Sequence, residues 1–134
     1  LSRAPRKPRA GKDTGPSRAV RAALWTRAGG ACESCGISVA ARPFSVQHRV
    51  ARRMGGTSAP AANHLSNLVL LCGTANSPGG CHLACERRDE GMHARGFWLN
   101  SWESPAATGI TLASGTAVLL GPTYLTVPPE EAAA

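Results

Sequence analysis

The spacing of apolar positions near the start of the chain predicts a short helix. Val20, Ala23 and Leu24 recur at helical spacing, so their side chains share one face. Ser17 is a residue type suited to cap the first turn, and Gly29-Gly30 is suited to end the helix. The sequence therefore predicts a helix between these two signals.

Two strands and a second helix follow. Residues 44–48 (FSVQH) alternate in polarity, which indicates a half-buried strand, and residues 68–71 (LVLL) form a continuous apolar run typical of a buried strand. Residues from Cys81 to about Arg95 are compatible with one helix, which Gly96 would end. This order of elements predicts a small α+β fold.

The last third of the chain favours β-structure. Residues 97–102 are predicted to be extended, and residues 110–127 predict a β-hairpin. Its turn would lie at Ser114-Gly115 or at Gly121-Pro122. A C-terminal β-hairpin is thus expected, and it could complete the core, form a dimer contact or dock a partner.

The 134 residues are enough for one modest hydrophobic core. We divide them into a disordered basic arm (1–16), a main domain (17–96), a β extension (97–127) and a disordered tail (128–134). The chain holds three Trp, two Phe and one Tyr, so the core lacks bulk. A bound metal would stabilise such a core.

The charge balance points to a polyanionic partner. The net charge is +7, and eight of the fifteen basic residues fall in the first 27 positions. The basic arm is suited to lie along a phosphate backbone or to act as a solubilising tail. The arm has no apolar stretch like that of a secretory signal, so we expect a cytoplasmic protein. The odd number of cysteines, five, favours metal binding over complete disulfide pairing.

Four cysteines are candidates for a structural zinc site, although the eight residues between Cys72 and Cys81 exceed the usual two to four. One pair forms a CxxC turn, and the other pair flanks a loop rich in Gly and Pro; they are Cys32, Cys35, Cys72 and Cys81. Cys85 competes with Cys81 for the fourth position, and His82 could instead complete a Cys₃His site. We favour the four-cysteine zinc site with Cys81.

A second metal site is predicted on the same helix. Adjacent residues Cys81 and His82 project about 100° apart on a helix and so cannot easily serve one ion. His82 and Glu86, at positions i and i+4, share a face. The helix is therefore expected to present Cys81 to zinc and His82 with Glu86 to another divalent cation.

These motifs together resemble the zinc-containing HNH endonucleases. The order is CxxC, then QHRVARRMGG at 47–56, then NLVLLC at 67–72, then Cys81-His82. The phrases RRMGG and LCG…GCHxxxE are similar to the small HNH proteins of actinobacterial phages. The resemblance covers about residues 20–90, and His48, Asn67 and His82 stand where the family's three signature letters stand.

The resemblance implies the fold and the roles of the site residues. The family fold is a zinc-stabilised ββα-metal core (the His-Me finger), here with an N-terminal helix added. His48 would be the general base, and Asn67 would orient that histidine or support the metal loop. His82 would bind the catalytic cation, with Glu86 where some members place another ligand. Gln47 departs from the usual Asp or His, so we expect a weaker site for Mg²⁺, Mn²⁺ or Ni²⁺.

The activity implied is hydrolysis of phosphodiester bonds in double-stranded DNA, leaving a 5′-phosphate and a 3′-hydroxyl. Analogy with phage proteins suggests a packaging terminase as partner and a bacterial host cytoplasm as the location. The rival hypothesis is a non-catalytic zinc-knuckle module that binds DNA, with Gln47 marking the loss of activity. Five arginines would form a solvated basic face or, as we predict beside a nuclease site, contact DNA phosphates: Arg49, Arg52, Arg53, Arg87 and Arg88.

Overall fold

The computed structural model describes residues 15–51 and 60–127 of the chain. Within them the protein is a small α+β fold with three α-helices, two short 3-10 helices and two small antiparallel sheets. None of the helices in these two segments is long and apolar enough to cross a bilayer. Most of the predicted arm (residues 1–14), the predicted tail 128–134, and Arg52 and Arg53 lie outside the described residues.

The first helix, α1, spans Arg18–Ala28 and confirms the prediction at both ends. The Ser17 hydroxyl accepts a hydrogen bond from the Val20 amide at 3.2 Å, which satisfies one of the unpaired donors of the first turn. Gly29 ends the helix in the left-handed conformation, with φ at 65°. Leu24 is fully buried and anchors the helix to the core.

The two predicted strands are also confirmed. Strand β1 (Phe44–His48) pairs antiparallel with β2 (Leu68–Cys72), and the register sets Phe44 opposite Cys72 and His48 opposite Leu68. Residues 68–71 are buried because α1 and the helix that starts at Cys81 both pack against β2. A strand covered in this way has the continuous apolar run that the sequence shows.

The predicted single helix from Cys81 to about Arg95 is wrong. Two short helices occur instead, α2 (Cys81–Glu86) and α3 (Glu90–Ala94). The chain turns between them because Arg88 adopts a left-handed φ of 55°. Asp89 then starts α3 by accepting a hydrogen bond from the Met92 amide at 3.0 Å.

The C-terminal segment forms a three-stranded antiparallel sheet rather than the predicted two-stranded hairpin. Its strands are β3 (Ile110–Thr111), β4 (Ala117–Leu120) and β5 (Tyr124–Thr126), paired in that order. Both candidate turns are used: Ser114-Gly115 lies between β3 and β4, and Gly121-Pro122 lies between β4 and β5.

One hydrophobic core joins the two sheets. Ile110, Val118 and Leu120 of the C-terminal sheet belong to the same buried cluster as Leu24 and Phe97, together with residues 68–71 of β2. The β extension 97–127 thus packs on the core of residues 17–96.

A buried ion pair fastens this core. Arg27 and Glu33 lie 2.9 Å apart with both side chains inaccessible to solvent. The Tyr124 hydroxyl donates to Glu33 at 2.7 Å, and Arg27 also donates to the carbonyl oxygens of Leu65, Leu68 and Gly121. Because its charges are paired and hydrogen-bonded, the cluster is tolerated in the interior and links α1, the CxxC turn and the C-terminal sheet.

Candidate metal centre and active-site cleft

The four cysteines predicted to bind zinc lie together. Their Sγ atoms are all within 4.8 Å of one another, and the group is Cys32, Cys35, Cys72 and Cys81. The Sγ atoms of Cys35 and Cys72 are 3.8 Å apart. A tetrahedral zinc ion with Zn–S bonds of about 2.3 Å needs sulfurs separated by about 3.8 Å. The cluster therefore fits a structural metal such as zinc.

These four cysteines lie on three different elements. A tight turn presents Cys32 and Cys35, because the Gly36 amide donates to the Cys32 carbonyl at 2.8 Å. Cys72 is the last residue of β2, and Cys81 is the first residue of α2. The Cys81 amide also donates to the Cys72 Sγ at 3.4 Å. The centre consequently joins the CxxC turn, the central strand and the start of α2.

The cysteines of the cluster differ in how readily their thiols ionise. A hydrogen bond from the Cys81 thiol lowers the pKa of Cys32 to about 4, so a thiolate is available at neutral pH. The same bond raises the pKa of Cys81 when no ion is bound. Metal binding displaces such a shared proton, because the thiolate is the ligand form.

Cys85 lies apart from the cluster. Its side chain is buried within the hydrophobic core, and burial raises the pKa of its thiol to about 12. Among the described residues the four-cysteine group includes Cys81 and not Cys85. Cys85 is thus a core residue, and the alternative that it supplies the fourth sulfur is not supported.

A small cleft opens where β1 ends and α2 packs nearby. Its volume is about 70 Å³, too small to enclose a nucleotide. The cleft brings together the predicted base and two of the predicted cation ligands; its lining residues are Gln47, His48, Arg49, Ala51, Cys85, Glu86, Arg88, Trp98 and Leu99.

The imidazole of His48 is oriented by Asn63, a residue that sequence reasoning missed. The His48 Nε2 and the Asn63 Oδ1 are 2.8 Å apart. An oxygen partner requires Nε2 to carry the hydrogen, which makes Nδ1 the basic nitrogen of the ring. Asn63 lies in a long inter-strand segment, where no spacing rule marks it as a partner.

Asn67 serves the backbone of the same loop. It is buried, its Oδ1 accepts from the Val50 amide at 2.9 Å, and its Nδ2 donates to the Ala62 carbonyl at 2.9 Å. These bonds tie the chain just after His48 to the 3-10 helix that contains Asn63. Of the two roles that the resemblance implied for Asn67, the geometry corresponds to support of the loop.

His82 and Glu86 face each other along α2, as their spacing predicts. The His82 Nε2 lies 3.8 Å from the Glu86 Oε1. The Nδ1 atom of His82 is buried and has no hydrogen-bond partner in the described part of the chain. The nitrogen that faces Glu86 is thus Nε2, and a cation ligated by imidazole and carboxylate would suit Nε2 and the Glu86 oxygen.

Arg88 brings a positive charge to the cleft in a strained conformation. It is the one non-glycine residue with positive φ among the described residues. Its guanidinium carbon lies 5.1 Å from the centre of the Trp98 ring, a cation–π contact. The Trp98 indole is itself fixed, because its N–H donates to the Asp89 carbonyl at 2.7 Å.

The prediction that Arg49 contacts DNA is wrong. The residue is 1% exposed, and its guanidinium donates to five carbonyl oxygens, those of Ser66, Gly96, Pro105, Thr108 and Gly109. Burial lowers its pKa to about 10. Arg49 instead fixes the backbone next to His48 to the segment that leads into the C-terminal sheet.

Of the other four arginines predicted to contact DNA, two lie in the described part of the chain. Arg87 and Arg88 are exposed on the turn between α2 and α3. Arg52 and Arg53 lie outside the described residues, so their contacts stay a prediction.

In comparisons with known proteins, no protein family, no curated protein and no solved structure matches this chain.

Proposed function

We propose that this protein is a metal-dependent endonuclease of the HNH type that hydrolyses phosphodiester bonds in DNA. The observation that carries the proposal is the cleft, in which His48 at the end of β1 and Glu86 on α2 meet beside a four-cysteine centre. In this proposal β1, β2 and α2 form the ββα-metal core. The motif order in the sequence supports the same assignment.

His48 would act as the general base toward the attacking water. Histidine side chains are largely neutral at pH 7 and can accept a proton there. Asn63 holds the ring of His48 through Nε2 and so fixes its orientation in the cleft. The bonds of Asn67 and the buried guanidinium of Arg49 hold the backbone on either side of this loop. Such positioning matters because a well-placed base contributes about 10²–10⁴-fold to the rate.

His82 and Glu86 would hold the catalytic cation, with the amide oxygen of Gln47 as a further ligand. Mg²⁺, Mn²⁺ or Ni²⁺ in this position supplies charge neutralisation for the phosphoryl oxygens and the departing 3′-oxygen. The approach of the His82 Nε2 to the Glu86 carboxylate supports this assignment. The products expected from such a reaction are a 5′-phosphate and a 3′-hydroxyl.

Arg88 would bind a non-bridging oxygen of the scissile phosphate. Arg88 lines the cleft together with His48, and its guanidinium lies over the Trp98 ring. Arginine is suited to this task because its planar fork can donate two hydrogen bonds to one phosphate. Arg87, Arg52 and Arg53 would contact neighbouring phosphates.

The structural zinc would keep α2 in position. Cys81 begins α2 and is followed directly by His82. A zinc ion bound to Cys81 and Cys72 would therefore fasten the ligand helix to the central strand. A packaging terminase as partner remains a proposal from family analogy.

A non-catalytic DNA-binding zinc module is the second candidate, and the neutral Gln47 favours it. The two hypotheses differ in the products formed on a labelled DNA duplex with added Mg²⁺, Mn²⁺ or Ni²⁺. A nuclease of the proposed type yields fragments that DNA ligase can rejoin, because ligation requires a 5′-phosphate and a 3′-hydroxyl. Binding without any cleavage under all three cations would favour the second candidate.

A further inference from the structure

Two aromatic rings are exposed at the opposite end of β1 from His48. Trp25 is 37% exposed and Phe44 is 43% exposed, and their ring centroids lie 5.3 Å apart with planes tilted by 55°. Gly30 permits this position of the indole, since a Cβ there would come within 3.0 Å of the ring. The two rings therefore form a small aromatic patch at the surface.

Arginines surround the aromatic pair. Arg18, Arg21 and Trp25 are spaced i, i+3 and i+7 on α1 and share its exposed face. Arg42, also exposed, precedes Phe44 by two residues. We call these five residues the α1–β1 surface.

Acidic groups are scarce near this surface. Within residues 15–51 the sole acidic side chain is Glu33, which is buried and paired with Arg27. The exposed charge of this segment is therefore carried by arginine alone. The preceding residues 1–14, which lie outside the described part, add five basic residues against one acidic residue.

Aromatic faces combined with arginines are the means by which proteins bind single-stranded nucleic acid. Bases stack on the rings, and the cations track the phosphates. The bases of a duplex cannot use such rings, because their faces are already stacked on one another. Among polyanions, an unpaired strand is the ligand that uses both parts of the surface.

The α1–β1 surface is aligned with the cleft. Phe44 and His48 are the two ends of one strand, so about 13 Å separates them at about 3.3 Å per residue. Positions 44 and 48 also face the same side of the strand, since side chains alternate. This separation corresponds to about four steps of a DNA strand at about 3.4 Å each.

We propose that the α1–β1 surface binds a single-stranded DNA segment that adjoins the duplex in the cleft. The preferred substrate is then a junction between double-stranded and single-stranded DNA. Binding of single-stranded DNA is inferred from the α1–β1 surface alone. Binding of the adjoining duplex in the cleft rests on the proposed function.

Binding is measured by fluorescence anisotropy with the His48→Ala variant, which keeps the DNA intact. The probes are a blunt duplex and the same duplex with a single-stranded extension of about ten nucleotides. We expect the extension to tighten binding about tenfold. The double variant Trp25→Ala/Phe44→Ser should lose that gain, whereas Trp102→Ala, at a residue 81% exposed elsewhere, should keep it. Trp25→Ala alone serves as the second variant if the double variant does not fold.

Salt dependence tests the arginines separately. Arg18→Gln/Arg42→Gln should reduce the slope of log affinity against log salt by about 1.4, because each lost contact to a single strand removes about 0.7. Thr123→Glu/Thr126→Glu changes the net charge by the same amount on the exposed edge of the C-terminal sheet. This control should leave the slope unchanged.

Equal affinity for the blunt and the extended duplex would overturn the inference, as would an equal loss of affinity in the aromatic and control variants. Association of the chain with itself through Trp25, seen as a dimer that the variant abolishes, would also overturn it. The proposed function has a separate readout. Cleavage without a preference for junctions contradicts this inference alone, whereas a preference in binding without cleavage contradicts the nuclease alone.

Discussion

Arg88 combines an unfavourable backbone with a position at the cleft. A left-handed conformation costs a non-glycine residue about 1–2 kcal/mol, and the cation–π contact with Trp98 returns about 0.5–1 kcal/mol. Glycine would suit the backbone of this turn better, and what the arginine side chain adds is the contact with Trp98 and a positive charge beside the cleft.

Arg88→Gly should separate these two effects. We expect the free energy of unfolding to stay within about 1 kcal/mol of wild type, because relief of the backbone offsets the lost contact. DNA cleavage should fall at least about tenfold, because a charged hydrogen bond to the phosphate is lost. Urea unfolding and a cleavage time course measure both quantities. Undiminished cleavage by Arg88→Gly would show that Arg88 has no role in the site. Arg87→Gln is the matched control, and we expect it to lose less cleavage activity.

Gln47 limits the charge of the proposed cation site. Its amide oxygen can bind a cation but brings no negative charge, which leaves Glu86 as the anionic ligand proposed. Gln47→Asp should lower the Mg²⁺ concentration needed for half-maximal cleavage, because a carboxylate attracts the cation more strongly. A titration with Mg²⁺ measures this concentration. An unchanged or higher value would exclude residue 47 from the site.

The structural role of Arg49 cannot be predicted from its residue type. Its partners are carbonyl oxygens from segments as far as 60 positions away, and no local pattern in the sequence reveals such contacts. Arg49→Lys should lower the free energy of unfolding by about 3 kcal/mol or more, because an ammonium cannot reach all the carbonyls that the planar guanidinium bonds. Chemical denaturation measures the loss. A variant as stable as wild type would contradict the structural role.

At the scale of elements, the metal centre depends on where β2 ends and α2 begins. Cys81→Ser should abolish zinc binding and unfold the chain, since a structural zinc contributes about 10–16 kcal/mol in small domains. Cys85→Ala should keep about one zinc per chain and lose only about 1 kcal/mol, the effect of a small cavity. Metal analysis after dialysis, together with circular dichroism, distinguishes the two. Loss of zinc in Cys85→Ala would contradict the assignment of the cluster.

Elements with strong local signals were predictable. Periodicity and caps located α1, and alternation and a continuous apolar run located β1 and β2. The division of the 81–95 segment was not foreseen, although Asp89 is a good N-cap residue, because an arginine gives no sign of a left-handed turn. The third C-terminal strand was not predictable, because two turn signals in a row are compatible both with one hairpin and with three strands.

At the scale of the whole molecule, the core and the cleft depend on one another. The C-terminal sheet completes the core that buries β2, and Arg49 and the Arg27–Glu33 pair link this sheet to the loops around His48 and Cys32. The cysteine cluster was predictable from a CxxC pair and a second pair that flanks a loop, and the facing of His82 and Glu86 was predictable from their i, i+4 spacing. The roles of Asn63 and Trp98 were not, because both depend on how distant segments meet.

The central claim is that His48 and a divalent cation cleave DNA in this cleft. Supercoiled plasmid is incubated with the protein and Mg²⁺, Mn²⁺ or Ni²⁺, with and without a chelator added just before the DNA. We expect wild type to convert the plasmid to nicked or linear forms, His48→Ala to be slower by about 10²-fold or more, and His64→Ala, at an exposed loop histidine, to match wild type. Equal conversion by wild type and His48→Ala, or none by either under any cation, would contradict the account.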